Sequence, residues 1–291
     1  MQQGVVVKAY SGYYYVQTGD KVAMCTLRGR FKKERFSLLV GDKVKIGMLG
    51  EGKGVVEEIL PRHSLLKRPM AANVDQVMLM FAVVNPDINI SLVDKFLVLA
   101  ESSGLTATIC LNKIDLADTA MLTPIVDLYQ HIGYTVILSS SKTGVGLEDL
   151  RRHLYDHITV FAGPSGAGKS SMLNAVEPGL QLVTGEVSKK IGRGKHTTRY
   201  AELLPLSSGG FVVDTPGFSF TEFTDIPPVD LGSYFPEIAE YITKCKFNTC
   251  VHDKEPKCAV KHAVEEGKIA KERYNSYLEI LNEVRENKKG L

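Results

Sequence analysis

Apolar residues in the first sixty positions come in short runs that are broken by glycine and show no helical period. β-Branched and aromatic residues dominate these runs, which is typical of strands. The runs are Gly4–Val7, Tyr13–Val16, Lys21–Leu27, Asp42–Ile46 and Gly54–Ile59. About five strands in about sixty residues predict an all-β barrel of the OB-fold type, an architecture that often binds nucleic acid.

From about residue 74 the pattern changes to apolar runs that alternate with amphipathic segments. This alternation predicts βαβ units around a mostly parallel sheet. The predicted strands are 77–84, 106–111, 135–138, 158–162 and 211–214, and the predicted helices are 92–103, 122–132, 147–155 and 169–176. Leu203–Leu206 and the last of these strands predict an antiparallel hairpin, because two serines and two glycines separate them.

Pro227 and Pro228 mark a boundary, beyond which lies a cluster of cysteines. The polar amphipathic segment after the cluster predicts one long helix, from about His262 to Glu286. We therefore predict three domains: an OB-fold over residues 1–66, an α/β domain over 67–225, and a metal-binding helical domain over 226–291.

The net charge of +2 hides a segregation of charge along the 291 residues. Residues 1–68 hold thirteen Lys and Arg against six Asp and Glu, residues 69–225 hold eleven against sixteen, and residues 226–291 hold eleven against eleven. A basic N-terminal segment indicates either contact with a polyanion or a solvated basic face, and charge alone does not decide between them. The candidate RNA-binding residues lie between two predicted strands: Arg28, Arg30, Lys32, Lys33 and Arg35.

The chain has no run of eighteen apolar residues and no basic-then-apolar N-terminal segment. We therefore predict no transmembrane helix and no secretory signal. We expect a cytoplasmic monomer without membrane contact.

Three of the five cysteines fall within fourteen residues, with a histidine among them. In a reducing compartment such a group indicates metal binding rather than disulfides. Cys245, Cys250, His252 and Cys258 supply three thiolates and one imidazole, a complete tetrahedral set for one structural Zn²⁺. A disulfide with one free thiol is the alternative, and His262 is a spare histidine that we place on the helix.

A phosphate-binding loop, G-x-x-x-x-G-K-S, follows the predicted strand at 158–162. Its glycines let backbone N–H groups approach phosphate oxygens, and the helix that follows adds a favourable dipole. We expect Lys169 to bridge the β- and γ-phosphates and the Ser170 hydroxyl to ligate Mg²⁺. The candidate phosphate-binding residues are Gly163, Pro164, Ser165, Gly166, Ala167, Gly168, Lys169, Ser170 and Ser171.

Asn112-Lys113-Ile114-Asp115 matches the guanine-reading motif N-K-x-D. The Asp115 carboxylate can accept hydrogen bonds from guanine N1–H and the N2 amine, a donor pair that adenine lacks. We expect Asn112 to brace the loop and contact the base, and the stem of Lys113 to cover one face of the ring. Ser140-Ser141-Lys142 resembles the S-A-K loop whose backbone N–H meets guanine O6, with the register open by one because three serines adjoin.

Asp214-Thr215-Pro216-Gly217 matches D-x-x-G at the end of a strand. We expect Asp214 to hold Mg²⁺ through water and the Gly217 N–H to sense the γ-phosphate. Between this motif and the phosphate loop, Thr197 and Thr198 both fit the switch threonine that contacts Mg²⁺, and we favour Thr198.

Phe218 stands where Ras-like enzymes usually carry a glutamine that orients the attacking water. His196 is our candidate to replace that glutamine, because an imidazole can orient or accept the water proton near neutral pH. A surface-loop role is its alternative. The candidate catalytic residues are His196, Lys169 and Thr198.

The guanine motif precedes the phosphate loop, whereas it follows that loop in ordinary small GTPases. This inversion predicts a circularly permuted GTPase domain. Because the strand that ends at Asp214 is then the last, we hypothesise that the nucleotide state changes the pose of residues 226–291.

The ensemble of motifs resembles the RsgA (YjeQ/YloQ) family of circularly permuted GTPases of small-ribosomal-subunit biogenesis. The resemblance extends over the barrel, the motif order, the 195–198 and 214–218 segments, and the Cys₃His group. It implies GTP hydrolysis to GDP and phosphate, stimulated by the 30S subunit during late maturation, contact with 16S rRNA, and a catalytic role for His196. The alternatives are a GTP-dependent RNA- or protein-binding switch not tied to the ribosome, an ATP-using P-loop enzyme, and a nucleic-acid-binding module whose nucleotide site is only structural.

Overall fold

The computed structural model describes residues 1–29, 38–67, 70–180, 182, 201–214, 223 and 226–289. Its first five strands are β1 (Gln2–Tyr10), β2 (Tyr13–Thr18), β3 (Lys21–Leu27), β4 (Lys43–Gly50) and β5 (Lys53–Ile59). They form a closed barrel in the order β1-β2-β3-β5-β4, which confirms the predicted five-stranded barrel. β3 pairs in parallel with β5, and the other pairs around the barrel are antiparallel.

Two short strands that the sequence did not predict follow the barrel. β6 (Leu65–Lys67) and β7 (Met70–Ala72) pair as a two-stranded antiparallel sheet. Each has only three residues, too few to establish an alternating pattern.

A six-stranded sheet carries the βαβ pattern, in the order β10-β9-β8-β11-β13-β12. Its strands are β8 (Gln76–Ala82), β9 (Thr106–Asn112), β10 (Thr135–Leu138), β11 (Ile158–Ala162), β12 (Glu202–Pro205) and β13 (Phe211–Asp214). β10 runs parallel to β9 and β11 parallel to β13, while β12 and β13 form the predicted antiparallel hairpin. Every residue of β8 and β11 is buried, as expected for strands covered on both faces.

Four helices accompany these strands: α1 (Ile90–Ser102), α2 (Thr119–Ile132), α3 (Leu147–Leu154) and α4 (Lys169–Val176). They match the four predicted helices, with ends that differ by up to three residues. Asn89 and Asp118 cap the N-termini of α1 and α2, since their side chains accept backbone N–H groups. Short 3₁₀ turns occur at Ile114–Leu116 and Pro178–Leu180.

The C-terminal region, defined here as residues 226–289, contains a 3₁₀ turn at Leu231–Tyr234 and three helices. They are α5 (Pro236–Ile242), α6 (Ala259–Glu265) and α7 (Lys271–Lys289). The prediction of one helix from His262 to Glu286 was wrong. Gly267 adopts a φ of +72°, and the N–H groups of Gly267 and Lys268 close α6 on the carbonyls of Val264 and Ala263. Both helices bury one face, which is why the amphipathic pattern continues across the break.

The chain forms two compact units. The first contains the described residues of Met1–Gln76, Glu148–Phe161 and Ser170–Phe218, and thus the barrel. The second contains those of Val77–Leu147, Ala162–Lys169 and Ser219–Leu291, and thus the guanine motif, most of the phosphate loop and the C-terminal region. The domain bounds at residues 66 and 225 stay a prediction. Among the described helices, none is long and apolar enough to cross a membrane.

Candidate nucleotide-binding and metal-binding sites

The phosphate loop lies between β11 and α4, as its sequence predicts, and two of its glycines leave no room for a side chain. A Cβ atom at Gly163 would lie 2.0 Å from the carbonyl oxygen of Met80. A Cβ atom at Gly168 would lie 2.3 Å from Nδ2 of Asn112. Both residues also have positive φ angles, of +139° and +91°. The loop therefore packs directly on β8 and on the guanine motif, which only glycine permits at these positions.

Lys169 begins α4 and folds back across the phosphate loop. Its ammonium donates hydrogen bonds to the carbonyl oxygens of Gly163, at 2.7 Å, and of Pro164, at 2.9 Å. Burial lowers the pKa of Lys169 from its ordinary value, because desolvation disfavours the charged form. A bound phosphate would compensate that loss. Ser170 and Ser171, in the same helical turn, are half-buried.

Asn112 joins the guanine motif to its two neighbouring loops. Its side chain is fully buried, and its Nδ2 donates to the carbonyl oxygen of Ala167 at 2.9 Å. Its Oδ1 accepts the backbone N–H of Ser141 at 3.3 Å. One side chain at the end of β9 thus joins the phosphate loop to the Ser140–Lys142 loop.

The three adjacent serines have distinct partners. Ser140 Oγ donates to Oδ1 of Asp115 at 2.6 Å, while Ser139 Oγ donates to the carbonyl oxygen of Leu111 at 3.3 Å. Ser140 is therefore the serine that orients the Asp115 carboxylate. Ser141 is half-buried and Lys142 is exposed.

The loop between β8 and α1, residues 83–89, also borders the site, although no motif pointed to it. Lys113 has a φ of +65°, and its ammonium donates to the carbonyl oxygen of Asn85. The Cβ position of Gly166 lies 3.4 Å from Cδ of Pro86. The Asn85-Pro86 pair after a buried strand was a turn signal, but nothing in the sequence linked that turn to the nucleotide motifs.

Several predicted residues lie outside the part of the chain that the structure describes. They are His196, Thr197, Thr198 and Gly217, together with Arg30, Lys32, Lys33 and Arg35 of the basic segment. Asp214 ends β13, where its backbone pairs with Glu202, and its side chain is not among those that the structure describes. Arg28 is described: its Nη2 lies 2.6 Å from Oε1 of Glu57, so part of its charge is neutralised within the barrel.

Cys245, Cys250, His252 and Cys258 converge, with their ligand atoms all within 4.8 Å of one another. Nδ1 of His252 lies 3.5 Å from Sγ of Cys245 and 3.4 Å from Sγ of Cys258. Those two sulfurs are 3.9 Å apart. Ligand atoms of a tetrahedral Zn²⁺ lie about 3.6 to 3.8 Å from one another, from bond lengths of about 2.0 to 2.3 Å. The three separations among His252, Cys245 and Cys258 are close to this range, and Cys250 lies within 4.8 Å of them, so the four side chains can surround one tetrahedral ion.

Burial shifts the pKa values of three of these ligands, Cys250, His252 and Cys258, when no metal is bound. It raises the pKa of the Cys250 thiol to about 12, although the backbone N–H of His252 opposes the shift. Burial also raises the pKa of Cys258 and lowers that of His252. A metal ion has to displace the thiol protons, so binding releases protons.

Side chains that the sequence did not single out hold the backbone between the ligands. The hydroxyls of Tyr277 and Tyr274, on α7, donate to the carbonyl oxygens of Val251 at 2.7 Å and His252 at 2.6 Å. The Glu255 carboxylate accepts the N–H groups of Val251 and Asp253. The segment from Cys245 to Cys258, called here the metal-binding loop, is therefore oriented by α7 as well as by its own turns.

Comparison with known proteins matches two family models to this chain: "RsgA GTPase" over residues 59–224 and "RsgA N-terminal domain" over residues 3–56. A protein of Geobacillus thermodenitrificans named "Small ribosomal subunit biogenesis GTPase RsgA" is 48% identical, over 99% of each chain. The protein of that name from Bacillus subtilis is 46% identical, again over 99% of each chain.

Two solved structures share the fold. YjeQ from Thermotoga maritima superposes with a TM-score of 0.85 at 40% identity, covering 97% of this chain and 98% of its own. YloQ, described as a circularly permuted GTPase, superposes with a TM-score of 0.83 at 41% identity, covering 98% of this chain and 96% of its own.

Proposed function

This chain belongs to the RsgA GTPase family, and we propose that it binds the small ribosomal subunit and hydrolyses GTP to GDP and phosphate during late maturation of that subunit. The observation that carries the enzymatic part is Asn112, whose one buried side chain ties the phosphate loop to the guanine motif. The names of full-length relatives support the ribosomal part. We further propose that the subunit stimulates hydrolysis, and that the protein acts as a cytoplasmic monomer.

Guanine is selected by Asp115 in this proposal. Ser140 occupies one side of the carboxylate and so fixes its plane, which leaves the acceptor pair for guanine N1–H and the N2 amine. The substitution Asp115→Asn replaces an acceptor with a donor, so GTP should bind more weakly and xanthosine triphosphate, which has a 2-oxo acceptor, more tightly.

Asp118→Asn is the matched control for that test. Asp118 lies three residues away and caps α2 through the N–H of Ala120, a role that asparagine fills equally well. Competition of the two nucleotides for a fluorescent GDP analogue measures the selectivity. An unchanged preference in Asp115→Asn would move base recognition to another residue.

The phosphate groups meet the loop from Gly163 to Ser171, with Lys169 as their main positive partner. The hydroxyls of Ser170 and Thr198 are suited to hold Mg²⁺ directly, and the Asp214 carboxylate through water. When bound, the ion would neutralise part of the negative charge on the phosphate oxygens. His196 orients the attacking water in place of the absent glutamine, while the Gly217 N–H contacts the γ-phosphate.

The metal in the C-terminal region is Zn²⁺ in this proposal. Three thiols and one imidazole favour zinc, and all four positions are filled by protein, which is the pattern of a structural site. RNA binding is assigned to the basic segment of the barrel, with 16S rRNA as the ligand. The exposed half of Arg28 and the four basic residues after it are the proposed contacts.

The deciding experiment measures GTP hydrolysis alone and with isolated small ribosomal subunits, for the wild type, His196→Ala and His262→Ala. His262 is an exposed histidine on α6 beside Glu266 and serves as the matched control. We expect strong stimulation by subunits that is lost only in His196→Ala. Stimulation retained in that variant would assign the chemistry to another group. Absence of stimulation in the wild type would favour the alternative, a GTP-dependent RNA- or protein-binding switch not tied to the ribosome.

A further inference from the structure

Helix α1 is buried on two sides. Towards β8, its Phe96 meets Phe81 edge-on, with ring centroids 5.6 Å apart. On its other side, Val98 and Leu99 belong to a core cluster that also contains Tyr277, Ile280 and Leu281 of α7. Within the second compact unit, the C-terminal region thus packs on the side of α1 that faces away from β8.

The N-terminal end of α1 leads directly from the nucleotide loops. Residues 83–89 connect β8 to α1, and the Val83 N–H donates to the carbonyl oxygen of Asn112 at 3.0 Å. The same segment receives the Lys113 ammonium at Asn85 and lies against the phosphate loop at Pro86. The position of α1 therefore sets the position of a segment that touches both nucleotide motifs.

A buried ionic network fixes α1 to α7. Arg273 and Asp94 are both fully buried and paired, and Nε of Arg273 lies 2.7 Å from Oε1 of Glu237 on α5. The Arg273 guanidinium stacks on Phe235, 4.7 Å from the ring centroid, and the Tyr129 hydroxyl donates to Asp94 at 2.7 Å. Buried charges tolerate loss of a partner poorly, so this network favours one relative position of the helices.

Two further pairs join the same helices nearer the surface. The Ser91 hydroxyl donates to Glu279, and the Lys95 ammonium pairs with Glu283. At its other face, α7 holds the metal-binding loop through Tyr274 and Tyr277, and Arg285 pairs with Asp253 at 2.9 Å. One helix therefore contacts both α1 and the backbone between the metal ligands.

We propose that the metal-bound C-terminal region positions the guanine-nucleotide loops through α1, with Arg273 as the positioning residue, so that metal binding and nucleotide binding favour each other. The inference rests on the proposed binding of guanine nucleotide and of zinc. Without metal, α7 loses its contact with a fixed loop, α1 loses its outer cover, and residues 83–89 lose their support. Nucleotide binding then has to order those loops, which weakens it.

The first test uses the full-length protein, metal-loaded and metal-stripped. The dissociation constant of a fluorescent GDP analogue is measured in both states, and the dissociation constant of Zn²⁺ is measured by competition with a chromophoric chelator, with and without GDP. We expect removal of the metal to raise the dissociation constant of the GDP analogue about tenfold, and the absence of GDP to raise the dissociation constant of Zn²⁺ by the same factor. Coupling between two sites is reciprocal and typically 5- to 150-fold. Two dissociation constants that do not change overturn the inference.

The second test keeps the metal bound and changes Arg273. Arg273→Met should weaken GDP binding about tenfold, within the usual range for coupled sites, and Arg273→Lys should restore part of the loss because it returns the charge. Lys271→Met removes an exposed positive charge two residues earlier on α7 and should change nothing. Circular dichroism at the assay temperature verifies that each variant is folded, which separates positioning from global unfolding.

The two proposals fail differently. If the metal-loaded wild type does not bind GDP at all, the proposed function fails. If it binds GDP with the same affinity with and without metal, and Arg273→Met binds like Lys271→Met, only this inference fails. A variant that is unfolded by circular dichroism is replaced by the triple variant Asp94→Asn/Glu237→Gln/Arg273→Met, which leaves neither carboxylate partner of Arg273 charged. GDP affinity at the wild-type level in that triple variant overturns the positioning role.

Discussion

The barrel and the C-terminal region occupy opposite ends of the chain, and they differ in the source of their cores. The buried cluster of the barrel takes all eight of its residues from positions 6–56: Val6, Val16, Ala23, Cys25, Leu38, Val44, Ile46 and Val56. The cluster of the C-terminal region also includes Val98 and Leu99 from α1. The barrel is thus a module with its own interior, whereas the C-terminal region completes an interior that begins in the GTPase domain.

Removal of the metal should give the largest contrast between these two regions. Structural zinc sites bind with apparent free energies of about 10 to 16 kcal/mol, much of which is folding free energy. Chelation should therefore abolish hydrogen-exchange protection in α6, α7 and the outer face of α1, while β1–β5 keep theirs. Equal loss of protection in the barrel would show that the two interiors are not separate.

Arg62→Ala should destabilise the barrel without affecting the metal site. Asp42 is fully buried and accepts hydrogen bonds from Nε and Nη2 of Arg62, at 2.6 and 2.7 Å. Removing the arginine leaves a buried charge without its partner, which costs about 3 to 5 kcal/mol in unfolding free energy. Lys45→Ala, which breaks the exposed pair with Glu58, should cost about 1 kcal/mol or less. Denaturant unfolding and chelator competition measure the two properties, and a drop in metal affinity in Arg62→Ala would contradict the contrast.

A matched pair of Val→Ala substitutions, one in each region, compares the two interiors directly. Val98 in α1 and Val16 in β2 are both fully buried, so Val→Ala at each should cost about 2 kcal/mol in unfolding free energy. Only Val98→Ala should also weaken metal binding, because Val98, unlike Val16, belongs to the buried cluster that contains residues of α7. Equal metal affinities of the two variants would show that the packing of α1 in this cluster does not stabilise the metal site.

The smallest expected effect concerns the metal-binding loop itself. Tyr277→Phe removes one hydrogen bond to Val251, worth about 1 kcal/mol or about fivefold in metal affinity. Tyr155→Phe, at an exposed position in the other compact unit, is the control and should change nothing. An unchanged metal affinity in Tyr277→Phe would show that the Tyr277 hydroxyl does not stabilise the metal site.

Features that depend on neighbouring residues were predictable from the sequence. The strand-helix alternation placed β8–β11 and α1–α4 because each element carries its own local pattern, either a short apolar run or a helical period. Asn112 was singled out from a motif whose spacing is local, and its side chain donates a hydrogen bond to the carbonyl oxygen of Ala167. The Cys₃His group was predicted in the same way, from donors within fourteen residues.

Features that depend on contacts between distant residues were not predictable from the sequence. Arg273 lies on a helix with many polar residues, where a lone arginine ordinarily points to solvent, and its partner Asp94 is 179 positions away. No local pattern shows that both are buried. The break at Gly267 was missed for a related reason, because both α6 and α7 bury the same kind of apolar stripe and the period hides the interruption.

That separation of 179 residues has a consequence for synthesis. At translation rates of about 5 to 20 residues per second, α7 follows α1 out of the ribosome after about 9 to 36 s. Throughout that interval Asp94 lacks its partner Arg273, and Val98 and Leu99 lack the apolar residues of α7 that pack in the same cluster. The barrel, with its own buried cluster, is translated before α1 begins, so the nascent chain already carries the whole of one interior while the other still waits for its last helix.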